Sequence, residues 1–271
     1  MKVFDCFTYF NENNLLKVRL EYLNKFVDYF VISESDYTHS GIKKGYNFKM
    51  SDFSKYKKKI IYLPIEADVS EMDFSVKDDK YNPNSPSWIL ENTQRNALLY
   101  GLESATPDDI VLIGDLDEIP NRDYIKTFDN SEPMSLMQSF YYYYMNYQNM
   151  GYDKYWKGTI ISKYSNFGYY TPQEMRDKRN EFDALLNGGW HFSFLGGIDS
   201  IRKKIESFAH TEFNKDDYKS DEHILDCIKN GKDVFKREGV YFKLEEDLRV
   251  FPTELIQAFL HHYPQATYIP S

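Results

Sequence analysis

The chain has 271 residues, one large domain's worth or two small ones, and its 42% apolar and 28% charged residues suit a packed core rather than disorder. A formal charge of −9 works against nucleic-acid binding, which needs Lys and Arg to neutralise phosphates, so no nucleic-acid partner is expected. Two cysteines, Cys6 and Cys227, exclude a disulfide framework, and no apolar run approaches the roughly 20 residues of a transmembrane segment. With no signal-peptide pattern in the first residues, the expectation is a soluble, cytoplasmic protein.

Val3–Phe7 is a short apolar run, followed by Phe10-Asn11-Glu12 and a helix with Leu16, Leu20, Leu23 and Val27 on one stripe. Asn13 or Asn14 can cap it. Tyr29–Ile32 is a second apolar run ending at Ser33-Glu34, and Ile60–Ile65 is a third. A helix from Ser87 to about Glu103 leads into Ile110–Ile113. Continuous apolar strands separated by helices mark a parallel sheet covered on both faces. Such sheets bind ligands beyond the carboxyl ends of their strands.

The second half changes character. Leu136–Tyr147 and Trp156–Lys163 are strand candidates with no helix directly after them. The Tyr141–Tyr144 run alternates between the faces of a sheet, with room for one ring to reach a ligand. Trp190–Leu195 reads as a strand, Gly196-Gly197 as a turn, and Asp199–Ala209 as a helix. Two polar stretches, Val69–Ser85 and Thr171–Gly189, are long enough for loops or lids. The expected class is α/β, a mostly parallel central sheet continued by a mixed C-terminal half. The whole chain, 1–271, then forms one domain, with 1–120 facing a nucleotide and 121–271 an acceptor.

The sharpest chemical signal is Ile110-Val-Leu-Ile-Gly-Asp115-Leu-Asp117-Glu118-Ile-Pro120, a strand running straight into Asp-x-Asp. Two carboxylates about 4 Å apart repel by about 4 kcal/mol at an effective dielectric near 20, so a cation must compensate. Mg²⁺ or Mn²⁺ bridging these oxygens to a diphosphate meets that need, since hard cations prefer oxygen. The plain alternative is an acidic turn facing water.

Six segments appear in order: Lys2–Glu12, Tyr29–Ser35, Gln94-Arg95-Asn96, Asp115–Pro120, Gly189-Trp-His-Phe-Ser193 and Ser207-Phe-Ala-His210. Together, over residues 2 to about 230, they resemble glycosyltransferase family 17, the β-1,4-mannosyl-glycoprotein 4-β-N-acetylglucosaminyltransferase family. The resemblance implies a GT-A type, Rossmann-like sandwich, a UDP-sugar donor (UDP-N-acetylglucosamine in the animal enzymes), a glycan acceptor, a divalent metal and inversion at the anomeric carbon. Vertebrate members carry an amino-terminal membrane anchor, and no such segment is expected here.

The resemblance also distributes roles. Asp117 is expected as a direct metal ligand, Asp115 as shared between metal and ribose, and His210, or less directly His191, as completing the metal site. Phe10, Asn11, Glu12 and Glu34 stand where uracil and ribose would lie. Arg95 offers a donor fork to phosphate, or a salt bridge to Glu91 one turn earlier. Trp190 and His191 would floor the sugar site. Asp199 takes the place of the catalytic base, with Glu118 in reserve; Asp199 is equally a preferred helix N-cap, and the roles are compatible. His261-His262 receives no role. An Asp-x-Asp phosphohydrolase fits less well, because the motif follows three α/β units and lacks the usual Gly-Thr. A non-catalytic carbohydrate-binding protein would leave Asp115 and Asp117 without a purpose.

Overall fold

The computed structural model describes residues 1–75 and 82–268. Four apolar strands, β1 (Val3–Thr8), β2 (Tyr29–Ser35), β3 (Ile60–Ile65) and β4 (Ile110–Asp115), pair in parallel in the order β3-β2-β1-β4. They are the four apolar runs of the sequence, each extended at its carboxyl end or unchanged. Both faces are covered, as continuous apolar strands require. On one face α1 (Asn13–Leu23) packs Leu16, Leu20 and Leu23 against Phe7, Phe30 and Leu112. On the other, α2 (Pro86–Asn96) runs into a 3₁₀ turn, Ala97–Leu102, whose Leu98 and Leu102 meet Phe4, Cys6, Val31 and Val111.

The sheet continues without interruption into the second half. After β4 come β5 (Glu118–Pro120), the short α3 (Arg122–Thr127), β6 (Met134–Tyr142), β7 (Tyr147–Asn149) and β8 (Tyr155–Lys163). Then follow α4 (Pro172–Asp177), β9 (Ala184–Ser193), α5 (Gly197–Ser207), α6 (Asp216–Lys219), α7 (Asp221–Asn230), β10 (Phe242–Leu244) and α8 (Thr253–His262). β8 joins β4 antiparallel, β6 joins β8 antiparallel, and β9 runs parallel to β6 while β5 pairs antiparallel with β9. Among the described residues the ten strands form one sheet in which β1–β4, β6, β9 and β10 share a direction and β5, β7 and β8 oppose it. The expected mostly parallel sheet with a mixed second half is what forms. α8 lies against α1, and no helix among the described residues is long and apolar enough to cross a membrane.

One expected loop is ordered. Thr171–Gly189 contains α4 and the first half of β9. A capping box starts α4: the Glu174 amide donates to Thr171 Oγ1 (3.2 Å), the Thr171 amide to Glu174 Oε2 (2.7 Å), and Pro172 opens the first turn. Of the other stretch, 69–85, residues 76–81 lie outside the described residues, and its flanks form turns.

The packing hides one charge pair. Strand alternation points Asp5 of β1 to the α1 face, between Val3 and Phe7. There it meets Arg19, and neither side chain is exposed. Arg19 Nε and Nη2 donate to the two Asp5 oxygens at 2.9 and 2.7 Å. Arg19 Nη1 donates to the carbonyl oxygens of Asp115 (2.8 Å), Leu116 (3.0 Å) and Glu118 (2.7 Å), so the pair fixes the turn leaving β4. We expect Arg19→Met to destabilise the fold by about 3–5 kcal/mol in chemical denaturation, because it strands a buried carboxylate. Adding Asp5→Leu should recover part of the loss and not all of it, since the turn carbonyls stay unpaired. A single variant as stable as the parent would refute this role.

Candidate active site

The cleft lies at the carboxyl ends of β1, β2, β4, β6 and β9, where the parallel-sheet rule places ligands, and has a volume of about 790 Å³. Its floor is the β4–β5 turn. Leu116 is buried in the core, and the flanking Asp115 and Asp117 line the cleft.

Each aspartate is met by cations of the chain itself. Arg95 Nη2 donates to Asp115 Oδ1 at 2.8 Å and Arg176 Nη2 to Asp115 Oδ2 at 2.9 Å. Lys204 Nζ donates to Asp117 Oδ2 at 2.7 Å, and His191 Nε2 lies 3.4 Å from Asp117 Oδ1. Burial alone would raise the Asp115 carboxyl, but the guanidinium charges of Arg95 and Arg176 outweigh it and hold the group well below the usual carboxylate range. Burial pushes Asp117 the same way, and Lys204 and His191 reverse it. Both groups are therefore anionic at neutral pH.

Glu118 completes the network from below, with no exposed surface. It accepts from both Arg176 Nη atoms (3.0 and 2.9 Å), from Trp156 Nε1 (2.6 Å) and from the Asp115 amide (3.1 Å). Two glycines make room for it. A Cβ on Gly114 would stand 3.0 Å from Glu118 Oε2, and one on Gly158 would stand 2.9 Å from Glu118 Cδ. Its oxygens are filled, so Glu118 is a brace for Arg176 and not a reserve base.

These contacts bear on a divalent metal. Four carboxylates (Glu91, Asp115, Asp117, Glu118) are hydrogen-bonded to three cationic side chains (Arg95, Arg176, Lys204), an excess of one negative charge. Each Asp115 oxygen accepts one guanidinium bond, Oδ1 accepts a further long one from Thr8 Oγ1 (3.4 Å), Oδ2 keeps a second lone pair, and about a third of the side chain is exposed to the cleft. Oxygen donors with residual negative charge fit Mg²⁺ or Mn²⁺ in kind. Of the two histidines expected there, only His191 approaches the pair, beside Asp117 at 3.4 Å. Neither His191 nor His210 joins Asp115 and Asp117 in a cluster of three ligating groups, and His210, at the cleft rim beside Trp88, has its Nδ1 2.7 Å from Glu212.

The other expected site residues divide sharply. Phe10 and Glu12 line the cleft. The Phe10 ring has Lys44 at 5.4 Å and Lys203 at 5.5 Å, and Glu12 turns back onto the amides of Phe10 and Asn11. Asn11 is not among the lining residues. Arg95 meets Glu91 (2.9 Å) and Asp115 at once, so both roles weighed for it converge on positioning the acidic pair.

Three expectations are corrected. Glu34 does not face the cleft: it is fully buried and accepts from Lys44 Nζ (2.7 Å), the Asn47 and Phe48 amides (2.7 and 3.0 Å) and Tyr62 Oη (2.9 Å), closing the loop after β2. Trp190 sits on the core side of β9 against Tyr22 and Phe251, since neighbours on a strand face opposite ways; His191 takes the cleft side, stacked on Phe140 at 4.6 Å. Asp199 projects from the outer side of α5, 98% exposed, paired with Arg202 at 3.1 Å. The residues α5 sends to the cleft are Lys204 and, at its end, Ser207.

Arg176, Lys204, Trp156 and Phe140 were not anticipated. Only Arg176 had a visible signal, the Thr171-Pro-Gln-Glu174 capping box that orders its helix. Trp156 and Phe140 stand on neighbouring strands, 6.0 Å apart, and with His191 form an aromatic wall.

The family model of glycosyltransferase family 17 matches residues 1–246. The β-1,4-mannosyl-glycoprotein 4-β-N-acetylglucosaminyltransferase of Rattus norvegicus is 25% identical over 255 residues, covering 81% of this chain and 45% of that protein. The Homo sapiens protein of the same description is 25% identical over 238 residues, covering 75% and 42%. The chain thus spans less than half the length of these relatives. A crystal structure of galactosyltransferase LgtC in complex with donor and acceptor sugar analogs is similar over 100% of this chain and 98% of that one, at a TM-score of 0.34 and 10% identity. With a family match over most of its length, the chain belongs to glycosyltransferase family 17.

Proposed function

We propose that the protein transfers a sugar, N-acetylglucosamine, from a UDP-sugar to a hydroxyl of a glycan acceptor, with inversion and with a divalent cation, on a GT-A type fold. The observation that carries this reading is the pair Asp115 and Asp117, held ionised at the carboxyl end of β4 in the floor of the cleft. Family membership and the printed names of the relatives support the sugar; the short coverage of those relatives leaves the acceptor open to test.

The nucleotide would lie over the ends of β1 and β2, against Thr8, Phe10, Tyr37 and His39, which line that side. Gln94 shapes this wall: its amide donates to the carbonyl oxygens of Tyr9 (3.2 Å) and Ser33 (2.8 Å), and its oxygen meets His39 Nε2 at 2.8 Å. Asp115 and Asp117 would hold Mg²⁺ or Mn²⁺, which supplies positive charge against the diphosphate as it leaves. Arg95 and Arg176 keep Asp115 aimed, and Lys204 beside Asp117 adds fixed positive charge on the cleft floor. Trp156, Phe140 and His191 offer aromatic faces to the apolar C–H surface of the sugars. Inversion calls for a base to take the acceptor proton, and Asp199 stands outside the cleft; the exposed carboxylates on its wall are Asp153 and Asp177.

A panel of UDP-sugars and glycan acceptors, read by product mass, tests the reading; no transfer from any of them, with phosphate released from simple phosphomonoesters, would favour a hydrolase. UDP with Mn²⁺ should raise the melting temperature, and Asp117→Asn should remove that shift and cut transfer by about 10²–10³-fold while melting stays cooperative. Asp199→Asn should leave stability within about 0.5 kcal/mol and turnover within about twofold, as for an exposed surface group. A large loss of turnover in that variant would return Asp199 to the mechanism.

A further inference from the structure

Far from the cleft, α1 and α8 bring three metal-ligating side chains together. His262 Nε2 lies 2.8 Å from Glu21 Oε2 and His261 Nδ1 lies 3.6 Å from the same oxygen. One ligating atom from each of the three falls within 4.8 Å of the others. The two imidazoles stack at 4.1 Å. We propose that Glu21, His261 and His262 form a binding site for a borderline divalent transition-metal ion of the zinc class, clamping α8 to α1.

The electrostatics favour a cation there twice over. Glu21 occupies the last turn of α1 and the histidines end α8, so the negative ends of two helix dipoles converge on the spot. A carboxylate at a helix C-terminus is unfavourable by itself and asks for a positive partner. Among the described residues Lys55 is the other cation paired with Glu21, at 3.9 Å, and with 69% of its side chain exposed it can swing away at little cost.

Donor type selects the ion. Two imidazole nitrogens and one carboxylate oxygen suit Zn²⁺, with water in the fourth tetrahedral position, whereas the oxygen-only pair Asp115 and Asp117 suits Mg²⁺ or Mn²⁺. His262 is half-sheltered, at 18% exposure, and α8 lies beyond residue 246, where the family match ends. The clamp is thus built between the family's first helix and a segment outside the matched region. Glu21 stands two residues after Arg19, so an ion here would brace the helix that holds the β4–β5 turn.

The test uses the full chain, stripped with chelator and titrated with Zn²⁺ alone by calorimetry and thermal melting. We expect saturable binding of one equivalent at this site with a rise in melting temperature. His262→Ala and Glu21→Gln should each weaken it by more than about tenfold, since loss of even an outer-shell partner costs that much. Asp117→Asn should leave this equivalent intact. Unchanged affinity in both His262→Ala and Glu21→Gln, loss of the ion in Asp117→Asn instead, or no saturable binding would each overturn the proposal. The outcome is independent of glycosyl transfer, because none of its readouts requires turnover.

Discussion

The geometry of the cleft depends on a guanidinium that never touches it. Arg19, buried beneath the sheet, cancels the charge of Asp5 and uses its remaining donors on three carbonyl oxygens of a single turn. Carbonyls drawn toward Arg19 leave the Asp115 and Asp117 side chains on the opposite, cleft side. An ion pair in this setting is a poor source of net stability, because desolvating both charges consumes most of the attraction. Its contribution here is geometrical: it converts a turn after a parallel strand into a fixed platform for two carboxylates.

Above that platform the charges are layered. Glu118 lies deepest and orients Arg176; Arg176 and Arg95 then hold Asp115 from two sides, while Lys204 holds Asp117. Each layer limits the rotamers of the next, which is the preorganisation an electrostatic site needs. A side chain at 114 would run into Thr159 and one at 158 into Gln138, with Glu118 close behind at both, so glycine suits these positions.

How much of this was legible follows from what each residue's neighbours are. β1 to β4 could be read because strands covered on both faces are apolar along most of their length, with Asp5 the buried exception, and Asp115 and Asp117 stood out because they follow such a run. The same logic misled at Glu34, which also ends an apolar strand but is claimed by the loop that folds back over it. Trp190 and His191 were grouped as neighbours in sequence, while the pleat sends them to opposite faces. Asp199 and Lys204 lie on one helix, and which of them points inward depends on how α5 is rotated about its axis, which Ile201 and Ile205 fix by burial in the core. Arg176 reaches Asp115 across 61 residues, a separation local pattern cannot bridge.

The β4–β5 turn is tied at both ends. Asp115 closes the β4 register against β1, Glu118 opens the pairing of β5 with His191, and between them the Phe192 amide donates to the Asp117 carbonyl at 2.7 Å. The span therefore has no slack. Inserting or deleting a single residue there would flip one carboxylate away from its cation and slide β5 along β9, so the length of this segment is as constrained as its three carboxylates.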